Sequence, residues 1–365
     1  MNGFSPSDRI DALRLARSEN VGPITYAQLL RRYGTPGRAL QALPELARRG
    51  GRAAAIRIET AAEAAREIDR AAALGARMLL RGEPDYPALL DQVADAPAVL
   101  TVQGELRHLE RPTLAIVGAR NASAAGVKLA RELAEAAGRH GFTVVSGLAR
   151  GIDGAAHRGA LASGTVGVVA GGVDVVYPPE HQELQTEIGR RGLLVAEMPP
   201  GTQPQARHFP RRNRVIAGLS RGVLVVEAAL KSGSLITARL ANEQGREVMA
   251  VPGSPLDPRA RGGNALLKQG AALVESIEDV LDALGSARPA PLAEPSEDFT
   301  SGEPDEADLA AARRQIESLL SPAPVEVDEL IRQTGFTPGV VLTVLLEIEL
   351  AGRLTRQRGG LVALA

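Results

Sequence analysis

The sequence has no cysteine and no tryptophan, and only five phenylalanines and four tyrosines in 365 residues. Without cysteine there can be no disulfide, no thiolate metal site and no thiol nucleophile. With aromatics at 2%, Ala, Val, Leu and Gly must pack the cores. No apolar run reaches the ~18–20 residues that span a bilayer. The opening stretch MNGFSPSDRIDAL has no apolar signal region. The expectation is a soluble, cytosolic chain with no membrane contact.

Several catalytic and cofactor motifs are also missing. There is no GxxxxGK[ST] phosphate loop, no HExxH, no calcium-binding EF-hand loop and no GxSxG elbow. The dinucleotide fingerprint GxGxxG fails too, because Gly118-Ala119-Arg120 puts a bulky cation where the second glycine must stand. No cofactor and no metal are expected.

What is present is unevenly spread. The formal charge is -1, yet residues 1–80 hold 13 Arg against 8 acidic residues, a balance of +5. Residues 81–285 balance at 22 basic and 22 acidic, and residues 305–365 carry 6 Arg against 9 acidic residues, a balance of -3. The length suits two or three domains at roughly 100–200 residues each. Residues 286–308, rich in Pro, Ser and acid and without periodicity, read as a flexible linker. The expected division is a helical domain over 1–80, a sheet domain over 81–285, the linker, and a small domain over 309–365.

Between 114 and 251 the chain alternates strand and helix. Runs at 114–118, 142–146, 166–170, 193–196, 222–226 and 247–251 are apolar throughout, as in parallel strands covered on both faces. Helical patterns fall between them, at 123–139 and 234–244 among others. The fold class is α/β, a Rossmann-like, doubly wound and mostly parallel sheet, and its ligands belong at the C-terminal strand ends. Residues 8–49 read as short helices. The stretch 20–40 has the form of a helix-hairpin-helix, whose turn Val21-Gly22-Pro23 either offers amides to a phosphate or is an ordinary helical turn. The C-terminal piece reads as helices 308–320, 325–333 and 338–351, then strands near 353–357 and 361–364, the order of a winged helix. Its third helix, PGVVLTVLLEIELAG, has no cation and two glutamates. That composition suits protein contact or structural support better than DNA reading.

The strand ends carry the functional signal. They lead into Gly118-Ala119-Arg120, into Ser146-Gly147-Leu148-Ala149-Arg150-Gly151, into Gly171-Gly172, and into Glu227 followed by Lys231-Ser232-Gly233-Ser234. Glycines let the backbone approach a ligand closely, and helix N-termini favour anions. Between the fourth and fifth of these strands stands FPRRNRVIAGLS, with Arg207, Arg211, Arg212, Asn213 and Arg214 crowded together. These arginines either bind phosphates or tie loops through Glu197 and Glu227. Asp153 and His157, four apart, read as an acid near a helix start with a histidine packed behind it. Positive charge without a catalytic set points to an extended polyanion.

The run VGAR…SGLARGIDGAAHRGAL…VVAGGVDVVYPPEH…AEMPPGTQPQARHFPRRNRVIAGLSRGVLVVEAALKSGSLITARLANEQGREVMAVPGSP…GGNALLKQGA closely resembles the DNA processing protein A (DprA/Smf) family over roughly 85–285. The resemblance implies a non-enzymatic, cytosolic protein that binds single-stranded DNA. It implies a homodimer formed through the Rossmann-like domain, and loading of the RecA recombinase during natural transformation. By the same resemblance the strand is held at Gly118 and Arg120, by the turn Ser146, Gly147, Arg150 and Gly151, by Arg211, Arg212, Asn213 and Arg214, and by Lys231, Ser232, Gly233 and Ser234. The third strand ends AGGVD where the family pattern is GxGxD, so Gly171 to Asp174 depart from it. Tyr177, His208 and Phe209 are the only rings nearby, which favours gripping of the backbone over base stacking. The alternative is a nucleoside-monophosphate phosphoribohydrolase of the "lonely guy" type, with Glu227 as the catalytic acid, although its PGGxGTxxE loop is absent.

Overall fold

The computed structural model describes residues 3–286, 305–357 and 359–365. They form two compact units. The expected linker lies mostly outside the described residues, and its last part, from Glu306, is already helical.

The first unit holds Gly3 and the described residues from Arg66 to 286. Its sheet has nine strands: β1 (Ala76–Leu80), β2 (Val99–Gly104), β3 (Thr113–Val117), β4 (Thr143–Ser146), β5 (Thr165–Val169), β6 (Leu193–Ala196), β7 (Gly222–Val225), β8 (Glu247–Ala250) and β9 (Ala272–Leu273). Their order is β1-β2-β6-β5-β4-β3-β7-β8-β9. From β6 to β9 the pairing is parallel, and β2 joins β6 antiparallel, as β1 joins β2. The six strands expected from their apolar runs are all present. Strand β1 lies inside the span assigned to the helical domain, so the boundary at 80/81 is corrected: the sheet begins before it.

Alternation across each strand divides the core in two. Ala115, Val117, Val145, Val223 and Val225 face one layer, together with Val215, Ile216, Ala238 and Leu240 from the helices His208–Gly218 and Gly233–Glu243. Leu114, Ile116, Val144, Leu224 and Val226 face the other, with Ala130, Leu133, Ile152 and Ala156 from the helices Ala124–Arg139 and Ile152–Ala160. Small side chains allow close packing without aromatics. Gly159, for instance, lies so near the Arg131 carbonyl that a Cβ would overlap it. Chain direction reverses its winding between β3 and β7, which places a crevice at their C-terminal ends.

The second unit holds Phe4–Ala65 and the described residues from 305 onward. Helices Pro6–Arg17, Pro23–Tyr33 and Pro36–Arg49 each begin with proline at the first position, where its missing N–H costs nothing. The C-terminal part has helices Glu306–Leu319, Val327–Thr334 and Pro338–Leu350 with an antiparallel sheet of β10 (Val325–Glu326), β11 (Leu354–Arg356) and β12 (Leu361–Leu364) in the order β10-β12-β11. This is the winged-helix order read from the sequence.

Candidate nucleic-acid interface

The loops after β3, β4, β5 and β7 enclose two neighbouring cavities of about 370 and 600 Å³. Arg120, Asn121, Ala149, Phe209 and Arg212 line both. The smaller cavity adds Gly147, Arg150, Gly171 and Tyr177, and the larger adds Gly118, Asn213, Lys231, Ser232, Gly233, Ser234 and Arg259.

The backbone comes in close because its glycines permit it. Gly151 has φ +71°, and a Cβ there would overlap the Ala119 carbonyl. A Cβ on Gly118 would stand 2.6 Å from Ile152. Gly151 leads into the helix Ile152–Ala160, and Ser232 caps the helix Gly233–Glu243, accepting from the Ser234 amide at 3.3 Å. Among the described residues Glu227 forms no ion pair with an arginine. Its carboxylate accepts from the Ser123 amide at 2.9 Å and from the Ser123 hydroxyl, fixing the start of the helix Ala124–Arg139.

The arginine-rich segment is the first part of the helix His208–Gly218, and its members separate. Arg212 is 7% exposed. It donates to the carbonyls of Gly147 and Val168 (2.9 Å to the latter) and to Asn213 Oδ1 at 3.1 Å. Burial pushes its pKa down to about 10, so it stays charged at neutral pH. Among the described residues it makes no ion pair, and it looks into both cavities. Asn213 donates to the Gly233 carbonyl at 3.2 Å, linking this helix to the serine turn.

Arg214 is a correction. It is 4% exposed, pairs with Glu197 and lies 3.7 Å from Asp95, and it lines neither cavity. Ser146 is another: it is fully buried and its hydroxyl donates to the Ile116 carbonyl at 2.6 Å, so it supports the sheet from within. Arg211 is exposed but stands outside both cavities. Arg150 is exposed and pairs with Glu180 at 2.6 Å. Arg120 and Lys231 are exposed at the rim. Arg120 also lies over the Phe209 ring, 5.2 Å from its centroid, with Arg212 at 5.9 Å.

Asp153 and His157 hold the floor. The Asp153 carboxylate accepts from the amides of Gly147 (3.2 Å) and Ala149 (3.3 Å), and burial raises its pKa against the pull of Arg212. His157 is fully buried with Nδ1 2.9 Å from Thr165 Oγ1, and burial drives its pKa down to about 3. Both are framework residues, as the sequence suggested. The rings form more than the composition implied: Tyr177, 44% exposed, meets Phe209 at a centroid distance of 5.6 Å and a 57° tilt. Asn121 and Arg259 are lining residues that no motif had singled out. They sit just beyond the Gly-rich turn and in the loop after β8.

Fold and site together define an α/β class of protein, a Rossmann-like sheet with a cationic crevice at its strand ends, with a helical hairpin module before the sheet and a winged helix after it. Three family profiles cover the chain: DNA recombination-mediator protein A over residues 77–285, DprA-like N-terminal HHH domain over 6–70, and DprA winged helix domain over 300–360. The chain belongs to the DprA/Smf family. It is 42% identical to Protein Smf of Escherichia coli over 282 residues, 76% of this chain and 75% of that one. It is 47% identical to DNA processing protein DprA of Bacillus subtilis over 202 residues, 54% of this chain and 68% of that one. The crystal structure of DprA from Streptococcus pneumoniae aligns with a TM-score of 0.64 at 33% identity, over 77% of this chain and 98% of that one. DprA from Helicobacter pylori, whose structure concerns its single-stranded DNA binding mode, aligns with a TM-score of 0.53 at 29% identity, over 57% and 95%. Among the described residues no helix is long and apolar enough to cross a membrane.

Proposed function

We propose that the two cavities bind single-stranded DNA and that the chain delivers the bound strand to the RecA recombinase in recombination, natural transformation included. The observation that carries this reading is Arg212, a buried guanidinium that makes no ion pair among the described residues and lines both cavities. Its N–H groups are held by carbonyls and Asn213, the buried Asp153 lies within its electrostatic reach, and from the cavity wall its charge can attract phosphate. Arg120 and Lys231 extend the cationic path at the rim, the Gly147–Gly151 and Ser232–Ser234 turns add amides, and Phe209 with Tyr177 gives a base a surface to stack on. The single-stranded DNA binding of the Helicobacter pylori relative supports the same ligand.

The chain acts in this reading as a cytosolic homodimer joined through the sheet domain. The exposed edge strand β9, with Leu273 50% exposed, supports that surface. Sedimentation of the chain at micromolar concentration tests it. The phosphoribohydrolase alternative asks Glu227 for catalysis, and the two hydrogen bonds from Ser123 count against it. Incubation with AMP and assay for free adenine decides the matter.

The central test is a salt titration of oligonucleotide binding. Single strands should bind more tightly than duplex, Arg120→Ala/Lys231→Ala should lose that affinity, and the same variant should fail to stimulate RecA on the strand. Equal affinity for single strands before and after the substitutions would overturn the assignment.

A further inference from the structure

In a winged helix that reads DNA, the third helix presents its outer face to the groove. Here that helix is Pro338–Leu350. Val341, Val344, Leu345 and Ile348 join the winged helix's own core. Thr343, Leu346, Glu347 and Leu350 recur at the spacing of the other face. They lie outside that core, yet they are 5%, 3%, 0% and 0% exposed.

The N-terminal helices cover them. The third helix packs against Pro36–Arg49. Arg32 donates to Thr343 Oγ1 at 2.9 Å, and Asn20, at the start of the hairpin turn, donates to the Leu350 carbonyl at 3.1 Å. Gly50 approaches so closely that a Cβ would overlap the Glu347 carbonyl. At the rim Arg353 donates to the Gly50 carbonyl at 3.2 Å, and Arg49 pairs with Glu306 at 3.2 Å. The charge of Glu347 is met from within the winged helix, by Arg313. In the hairpin turn the Val21 amide donates to the Ser18 carbonyl, so that amide is not offered to a phosphate.

We infer that the outer face of the third helix is a protein-docking face whose occupant is the N-terminal helical domain of the same chain, and that it does not enter a DNA groove. The chemistry fits the occupant. The face has no cation, its Leu350 carbonyl accepts from Asn20 and a glycine gives it room, and a segment with 6 Arg against 9 acidic residues meets residues 4–65, which hold 10 Arg against 6 acidic residues.

The absence of cysteine makes the test direct. In the full chain, Thr343→Cys introduces a single thiol, which should react with a maleimide about tenfold or more slowly than Ser318→Cys, exposed on the same domain. The protection should not depend on protein concentration. Adding Gly50→Val should bring Thr343→Cys to the rate of the exposed control. If Gly50→Val does not fold, Asn20→Ala/Arg32→Ala opens the contact without inserting a side chain. In the opened chain, duplex DNA should not slow the labelling. Rapid labelling of Thr343→Cys alone, protection that grows with protein concentration (a second copy as occupant), or protection of the opened thiol by duplex DNA would each overturn the inference.

Discussion

Arg120, Arg212 and Arg214 have the same side chain and three different surroundings, and these decide what each guanidinium can do. Arg120 and Lys231 are exposed at the cavity rim, and among the described residues no carboxylate pairs with them. Replacing either with alanine should cost about 1.5–3 kcal/mol of single-strand binding, as for a hydrogen bond to a charged group. The melting temperature should not move. Filter binding and circular dichroism on each variant check this, and unchanged affinity in both would remove them from the site. Arg214→Ala should do the reverse. It leaves Glu197, whose side chain is 15% exposed, without its partner. Breaking a buried pair in this way costs about 3 kcal/mol or more, so melting should fall while the affinity of the folded fraction stays the same.

His157 gives a pH prediction of definite sign. Both states are neutral above the ordinary histidine value of about 6.5. Below it the unfolded chain takes up a proton that the folded chain refuses until about pH 3. Stability should therefore fall with pH across that window, by up to about 1.4 kcal/mol per unit for one proton. Asp153, raised by burial, works in the opposite sense at the acid end, where its protonation favours the folded state. Urea unfolding of wild type and His157→Gln between pH 7 and 4.5 should show the slope reduced in the variant. Parallel slopes would mean that the histidine is protonated in the fold.

At the scale of elements, the arginine segment shows what sequence could and could not reveal. Arg211, Arg212 and Arg214 look like one clamp when read as a loop. On a helix, successive side chains turn by about 100°, so Arg212 cannot share one side with both Arg211 and Arg214. Arg212 faces the cavities, Arg214 faces Glu197 and Arg211 faces solvent. The apolar runs made the parallel strands legible, because strands buried on both faces need no polar alternation. Strands β1, β2 and β9 were not legible. The first two join antiparallel at one margin, and β9 has only two residues. The Gly-rich turns gave the location of the site, whereas the ring cluster at Phe209 is a product of tertiary contact with Tyr177 and Arg120. The turn after β4 offers its own test. A Cβ on Gly147 would overlap the Arg212 guanidinium. Gly147→Ala should displace that group and weaken single-strand binding at least as much as Arg120→Ala does. Equal binding by wild type and Gly147→Ala would show that the position of Arg212 is immaterial.

For the molecule as a whole, a net charge of -1 means that long-range attraction cannot gather DNA over the entire surface. In the proposed reading binding comes from the few cations set at the strand ends, and their number should be readable from salt dependence. On a single strand each neutralised phosphate contributes roughly -0.7 to the slope of log affinity against log salt. If Arg120 and Lys231 each hold one phosphate, Arg120→Ala/Lys231→Ala should flatten the slope by about 1.4. Arg214→Ala should leave the slope as it is in wild type, because its charge is spent on Glu197. Arg211→Ala, outside both cavities, should also leave it close to wild type. Titrating all four proteins against one oligonucleotide between 50 and 300 mM salt separates cations that touch DNA from cations that hold the fold. A flattened slope in Arg214→Ala, or an unaltered one in the rim double variant, would place the strand somewhere other than the cavities between β3, β4, β5 and β7.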